Sequence, residues 1–129
     1  MNHQELTQKV HSSMYHQIQK NGYATPVQVL MDIEMLSKAD YERWRFGKVD
    51  YLERVCKGSL SKLSAVMKEI RSYGTKNRLK ASWIFYKQWG QKKLVHAKKL
   101  RFSKGGNEDI EKAYATHYIC SAKIAKTES

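Results

Sequence analysis

The stretch from residue 59 to residue 104 holds the residue types that could bind a polyanion. It contains thirteen of the 24 Lys and Arg residues and one acid, Glu69, so its formal charge equals the +12 of the whole chain. Lys and Arg neutralise phosphates, and exposed aromatic rings stack on unpaired bases. The aromatic residues among these cations are Tyr73, Trp83, Phe85, Tyr86, Trp89 and Phe102. This pattern favours the binding of DNA or RNA without catalysis.

The cations expected to contact phosphates lie between Lys76 and Lys104 of this stretch. Charged surfaces ordinarily mix both signs, whereas this stretch has thirteen cations and one acid. The alternative to phosphate binding is that these cations only face solvent. For Trp83, Tyr86 and Trp89 the helical spacing favours burial in the core over stacking on bases. The candidate nucleic-acid-binding residues are Lys76, Arg78, Lys80, Lys87, Lys92, Lys93, Lys98, Lys99, Arg101 and Lys104.

A second group of cations lies on either side of Trp44. Arg43 and Arg45 could clamp a phosphate or a base between them and the neighbouring aromatic rings. The acids Glu42 and Glu53 are close in sequence and can pair with these guanidinium groups instead. Structural ion pairs are therefore the favoured interpretation of Arg43 and Arg45.

Metal-independent cleavage of RNA is an alternative function of a different class. It requires a general base, a general acid and a cation near the developing phosphorane charge. His96 and His117 are the candidates, but nothing in the sequence brings them together, and a His on an apolar helical face is typical of a core residue. We therefore assign no catalytic residue. Because the Cys, His and Gly spacings match no metal site or phosphate loop, no metal site and no cofactor are predicted.

A protein-binding adaptor is a further alternative. Leu6, Val10, Met14 and Ile18 recur every four positions and predict a helix over residues 3–20 with a narrow apolar stripe. Such a helix, in a peripheral segment spanning residues 1–22, could pack on the body, pair two copies into a homodimer or meet an acidic partner. No small-molecule substrate is indicated.

Length and composition set the class of protein. A chain of 129 residues with 41% apolar and 28% charged residues predicts one folded domain over 1–129. No run approaches a membrane span and the N-terminus lacks a secretory pattern, so we expect a cytoplasmic protein without a membrane partner. Cys56 and Cys120 are far apart and are expected to be free, buried thiols.

Local signals predict the elements that must position these residues. Helix starts are expected at Thr25, Ser37 and Ser59, each followed by apolar residues at helical spacing. A short helix is expected after Asp50, another over residues 82–90, and a final helix over residues 107–124, with a frayed tail at 126–129. The alternation around Arg101 indicates at most one small β-hairpin near 94–103. The predicted fold class is mainly α, a compact bundle of about six helices, with a winged-helix-like arrangement as the alternative.

Four short motifs resemble those of a set of small bacterial hypothetical proteins. They are WRFGKV at 44–49, YLERV at 51–55, LRFSK at 100–104 and YATHY at 114–118. The similarity covers most of the chain beyond residue 24. It implies a bacterial, cytosolic origin, and it implies no activity, catalytic residue or cofactor.

Overall fold

Helices dominate the computed structural model, which describes residues 2–90 and 99–121. The predicted mainly helical class is confirmed, but the six-helix bundle is not, because a three-stranded antiparallel sheet completes the fold over the described residues. In chain order the elements are α1 (His3–Asn21), β1 (Tyr23–Ala24), α2 (Pro26–Asp32), α3 (Lys38–Arg45), a 3₁₀ helix (Leu52–Val55), α4 (Leu60–Lys76), β2 (Lys80–Trp83), α5 (Glu108–Ala115) and β3 (Thr116–Ile119).

The predicted helix starts at Thr25, Ser37 and Ser59 are confirmed. Each side-chain oxygen accepts a hydrogen bond from the backbone N–H three residues further on, at 3.1 to 3.2 Å. These bonds satisfy donors that the first turn of a helix leaves unpaired. The side chain of Gln28 does not complete a capping box, because it donates to Asp32 at 2.8 Å instead.

The core lies where α1 packs against α4 and α2. Val10 and Met14 of α1 are fully buried, as are Val66 and Ile70 of α4. All four residues of the α1 stripe, at positions 6, 10, 14 and 18, belong to this core. The apolar stripe of α1 is thus covered by the chain itself.

The prediction of a helix over residues 82–90 is wrong. Residues 80–83 form β2, which pairs with β3 so that Trp83 lies opposite Thr116, and irregular chain follows. Four bulky residues in a row, Trp83 to Tyr86, place large side chains all round a helix, whereas an extended chain can bury some and expose others. The pairing with β3 therefore outweighs the helical spacing of the aromatic residues.

The final helix is shorter than predicted. It ends at Ala115, and residues 116–119 form the central strand of the sheet, with β1 on one side and β2 on the other. Thr116, Tyr118 and Ile119 are residue types that favour strands. Residues 122–129, including the predicted tail at 126–129, lie outside the described residues.

The predicted hairpin near 94–103 lies mainly in residues 91–98, which are outside the described ranges. At residues 100–102 the expected alternation is confirmed, because Leu100 and Phe102 are buried and Arg101 is exposed. The neighbouring Lys99 forms an isolated antiparallel bridge with Lys87. Cys56 and Cys120 are free, as predicted, and partly buried.

Candidate nucleic-acid interface

Three aromatic rings between β2 and the end of the described segment are exposed to solvent. The exposed fractions are 45% for Trp83, 47% for Phe85 and 38% for Trp89, whereas Tyr86 is 9% exposed. The predicted burial of these aromatic residues is therefore right for Tyr86 and wrong for Trp83 and Trp89. Phe85 and Trp83 contact each other edge to face, with ring centroids 5.0 Å apart.

Lysine side chains lie over these rings. The Nζ of Lys99 is 3.6 Å from the Phe85 ring centroid, and the Nζ of Lys112 is 5.4 Å from that of Trp83. Backbone contacts place Lys99 there, because the next residue donates its N–H to the Tyr86 carbonyl at 2.8 Å. We call Trp83, Phe85, Lys87, Lys99 and Lys112 the aromatic-basic surface.

Buried contacts fix the chain on both sides of Arg101. The carbonyl oxygen of Arg101 accepts the indole N–H of Trp44 at 2.8 Å. The carboxylate of Glu111 accepts the backbone N–H groups of Phe102 and Ser103 at 2.8 and 2.9 Å. The backbone of this basic segment is therefore held in place while the Arg101 guanidinium, 5.8 Å from the Tyr51 ring centroid, is exposed.

The described cations of the predicted set come from several elements of the chain. Lys80 and Trp83 lie three residues apart in β2, about 10 Å along the strand and on opposite faces of the sheet. The exposed side chains at 76 and 78 lie beyond Lys80, away from Trp83, and Lys104 is exposed in the turn before α5. Of the predicted set, Lys87 and Lys99 belong to the aromatic-basic surface; Lys92, Lys93, Lys98 and also His96 lie outside the described residues.

The cations of this stretch are not neutralised within the described chain. Glu69 lies beside His11, with 3.3 Å between Oε2 and Nε2. The other ion pairs of residues 2–90 and 99–121 are Arg43 with Asp40, Arg54 with Asp50 and Lys112 with Glu108. No described Lys or Arg between 59 and 104 takes part in one, so their charges face solvent or aromatic rings.

A second region, which we call the Arg45 pocket, lies beside the first and shares Phe85 with it. It is an open cavity of about 270 Å³ between α1, α3, β1, β3 and the chain after β2. Its lining contains one guanidinium, one imidazole and three phenol groups, and no carboxylate. The lining residues are Gln17, Asn21, Tyr23, Thr25, Gln28, Tyr41, Arg45, Ile84, Phe85, Tyr86 and His117.

Arg45 is held between aromatic rings. Its guanidinium carbon lies 4.6 Å from the Trp89 centroid and 5.0 Å from the Tyr86 centroid. The backbone N–H of Trp89 donates to the Arg45 carbonyl at 2.6 Å, which holds the two chain segments together. The expected ion pair of Arg45 with an acid is wrong for the described residues, since Arg43 pairs with Asp40 while Arg45 pairs with none.

The ionisable groups of the pocket have shifted pKa values. Burial lowers the pKa of His117, so its imidazole is neutral at pH 7. Burial raises the pKa of Tyr86 to about 12, which keeps its hydroxyl protonated. The Tyr86 hydroxyl lies 3.4 Å from His117 Nε2, and the His117 ring stacks on Tyr23 with the ring planes 5° apart. Burial also raises the pKa of Tyr41, and the adjacent Arg45 partly offsets that rise.

The sequence did not indicate the pocket because its residues come from distant positions. His117 and Arg45 are 72 residues apart, and neither lies within the basic stretch. The sequence did not indicate Lys112 as a candidate either, because it is distant along the chain from the Trp83 ring that it contacts. A spacing motif requires neighbouring residues, and only the pairing of β3 with β1 and β2 brings His117 near α3. Arg45 beside Trp44 and Phe46 was the one local signal.

Neither a metal-binding cluster nor a membrane-spanning helix is found in the described part of the chain. No group of three or more His, Cys, Asp or Glu side chains is arranged there to hold a metal ion. Among the described helices, none combines the length and apolar character of a bilayer span.

No protein-family model, no curated protein and no solved structure matches this chain.

Proposed function

We propose that this protein binds single-stranded DNA or RNA through the aromatic-basic surface. One observation supports the proposal above all: the Nζ of Lys99, which forms no ion pair with a described acid, lies 3.6 Å from the centroid of the exposed Phe85 ring, whereas Lys112 over Trp83 pairs with Glu108. Rings that face solvent can stack on bases, and adjacent lysines can neutralise the phosphates of the same strand. The proposal names a surface and a ligand class, with no catalytic step.

The exposure of the rings favours a single strand over a duplex. Bases in a duplex are stacked on each other and paired, so a flat ring on a protein surface has no free base face to contact. A duplex would use the lysines alone. Stacking contributes about 1 to 3 kcal/mol per base, which makes Trp83 and Phe85 the residues that distinguish the two ligands.

The test is to measure fluorescence anisotropy of labelled single-stranded DNA, single-stranded RNA and duplex DNA over a salt series. Phe85→Ala is expected to weaken single-strand binding by about tenfold or more, which corresponds to the loss of one stacked base. Duplex binding is expected to be weaker in the wild type and little changed by Phe85→Ala. Tyr15→Ala is the matched control, because Tyr15 is an exposed ring on α1 outside the aromatic-basic surface.

Two outcomes would contradict the proposal: equal affinity for duplex and single strand, or the same affinity in Phe85→Ala and wild type. The RNA samples also test the alternative of a ribonuclease. We expect intact RNA after incubation. Cleavage that is lost in His117→Ala would instead favour catalysis in the Arg45 pocket.

A further inference from the structure

The Arg45 pocket contains a cation that lacks an anionic partner. The guanidinium of Arg45 is partly buried, and its Nε is buried without a hydrogen-bond partner in the described chain. A charged donor that is withdrawn from water and left unpaired is unfavourable, and a bound anion would compensate it. Among the described residues, Glu42, three residues before Arg45 on the same helix, forms no ion pair with it, and Asp32 on α2 accepts hydrogen bonds from Ser13 and Gln28 instead.

The remaining polar groups of the pocket suit an oxyanion. Tyr41 lies beside Arg45, and its protonated hydroxyl can donate a hydrogen bond. The rings of Tyr86 and Trp89 lie against the guanidinium and fix its plane, which is the condition for a geometrically specific fork of donors. A planar guanidinium binds phosphate oxygens with two parallel N–H donors, and a phosphate fits a cavity of about 270 Å³.

We propose that the Arg45 pocket binds one phosphate group. The inference goes beyond the proposed function and does not depend on it, because Arg45, Tyr41 and His117 are not part of the aromatic-basic surface. The phosphate belongs either to a free phosphate compound or to the end of a nucleic-acid strand. Phe85 lines both regions, so a strand stacked on Phe85 would bring its terminal phosphate to the pocket.

The first experiment titrates inorganic phosphate into the full chain by isothermal titration calorimetry at constant ionic strength, with chloride as the reference anion. Arg45→Gln is expected to weaken phosphate binding by about tenfold or more, the cost of losing hydrogen bonds to a charged group. Arg43→Gln is the matched control, because Arg43 lies on the same helix, two residues away, and pairs with Asp40. It is expected to leave the affinity unchanged.

Arg45→Lys keeps the proposal testable if Arg45→Gln does not fold, with the fold of each variant checked by circular dichroism. Lysine retains the positive charge but loses the planar pair of donors, so phosphate binding is expected to weaken while the chain stays folded. The proposal is wrong if phosphate binds no better than chloride. It is also wrong if folded variants at position 45 bind phosphate as the wild type does.

The second experiment identifies the source of the phosphate. Anisotropy compares one oligonucleotide with a 5′-phosphate, with a 3′-phosphate and with hydroxyl groups at both ends. Tighter binding of a phosphorylated end, abolished in Arg45→Gln, supports the strand end as the ligand. Inorganic phosphate binding without any effect of the ends supports a free phosphate compound. Phosphate binding with no oligonucleotide binding at all supports the pocket and contradicts the proposed function.

Discussion

The aromatic-basic surface and the Arg45 pocket combine the same residue types in opposite ways. On the surface, Lys99 and Phe85 are both exposed, so the cation and the ring can each contact a ligand separately. In the pocket, Arg45 is partly buried and the rings of Tyr86 and Trp89 hold it in one orientation. Exposed lysines attract an anion over a long range, and salt screens this attraction. A partly buried guanidinium instead directs its N–H donors toward an anion in a fixed orientation.

One buried side chain supports both regions, so its loss is expected to have the largest effect. Trp44 is completely buried, donates to the Arg101 carbonyl at 2.8 Å and contacts the rings of Tyr86 and Phe102. Trp44→Ala is expected to lower the free energy of unfolding by about 3 to 5 kcal/mol. Urea denaturation measures this loss, and both phosphate and oligonucleotide binding are expected to fall with it.

Phe46→Ala is the control for Trp44→Ala. Phe46 lies two residues away, is 47% exposed and contacts only the Trp89 ring, with centroids 5.6 Å apart, among the described aromatic residues, so its loss is expected to lower the free energy of unfolding by about 1 kcal/mol. Equal destabilisation by the two substitutions would show that Trp44 does not hold the two regions together.

The second prediction separates cations on the aromatic-basic surface from cations outside it. Replacing Lys87 and Lys99 by Gln is expected to reduce single-strand affinity at low salt by about tenfold. It is also expected to lower the slope of log affinity against log salt by about 0.7 for each phosphate that the variant no longer neutralises. Replacing Lys76 and Lys80 removes the same charge and is expected to have a smaller effect, because those residues lie away from the exposed rings. Anisotropy over a salt series measures both variants.

Equal slopes for the two double variants would mean that net charge alone governs binding. The aromatic-basic surface would then not be a defined binding area that differs from the Arg45 pocket. A smaller slope for the Lys87 and Lys99 variant only would instead place the strand beside Phe85.

The sequence predicted what depends on neighbouring residues. Thr25, Ser37 and Ser59 cap their helices because the capping bond joins residues three apart, and that spacing is visible in the chain. The end of α1 depended on local chemistry in the same way. Gly22, which follows Asn21, ends this helix with a positive φ of 81°, a conformation that glycine adopts readily.

Structural features that depend on residues far apart in the sequence could not be predicted. Ser82 and Trp83 are compatible with the start of a helix until β3, more than thirty residues later, offers a strand to pair with. The same holds for the candidate site, since the exposure of Trp83 and the burial of Tyr86 follow from what each side chain meets in the folded chain. The excess of cations over acids was readable from composition, but the position of each cation relative to a ring was not.

The last and smallest expected effect concerns His117 in the pocket. Burial lowers its pKa below that of an exposed histidine, about 6.5, so the unfolded chain binds this proton more readily than the folded chain. The contribution to stability is therefore fully present above about pH 6.5 and is lost as pH falls toward the lowered pKa. The groups that contact the imidazole are Tyr23 and Tyr86, and Arg45 lines the same pocket.

Urea denaturation between pH 7.5 and pH 5 checks this sign. The free energy of unfolding of the wild type is expected to fall toward acid more steeply than that of His117→Gln, while His3→Gln, which removes an exposed imidazole from α1, follows the wild type. Bound phosphate would place a negative charge beside His117 and raise its pKa, so saturating phosphate is expected to flatten the difference. A difference that persists unchanged in phosphate would locate the anion away from His117 and leave Arg45 and Tyr41 as the groups that hold it.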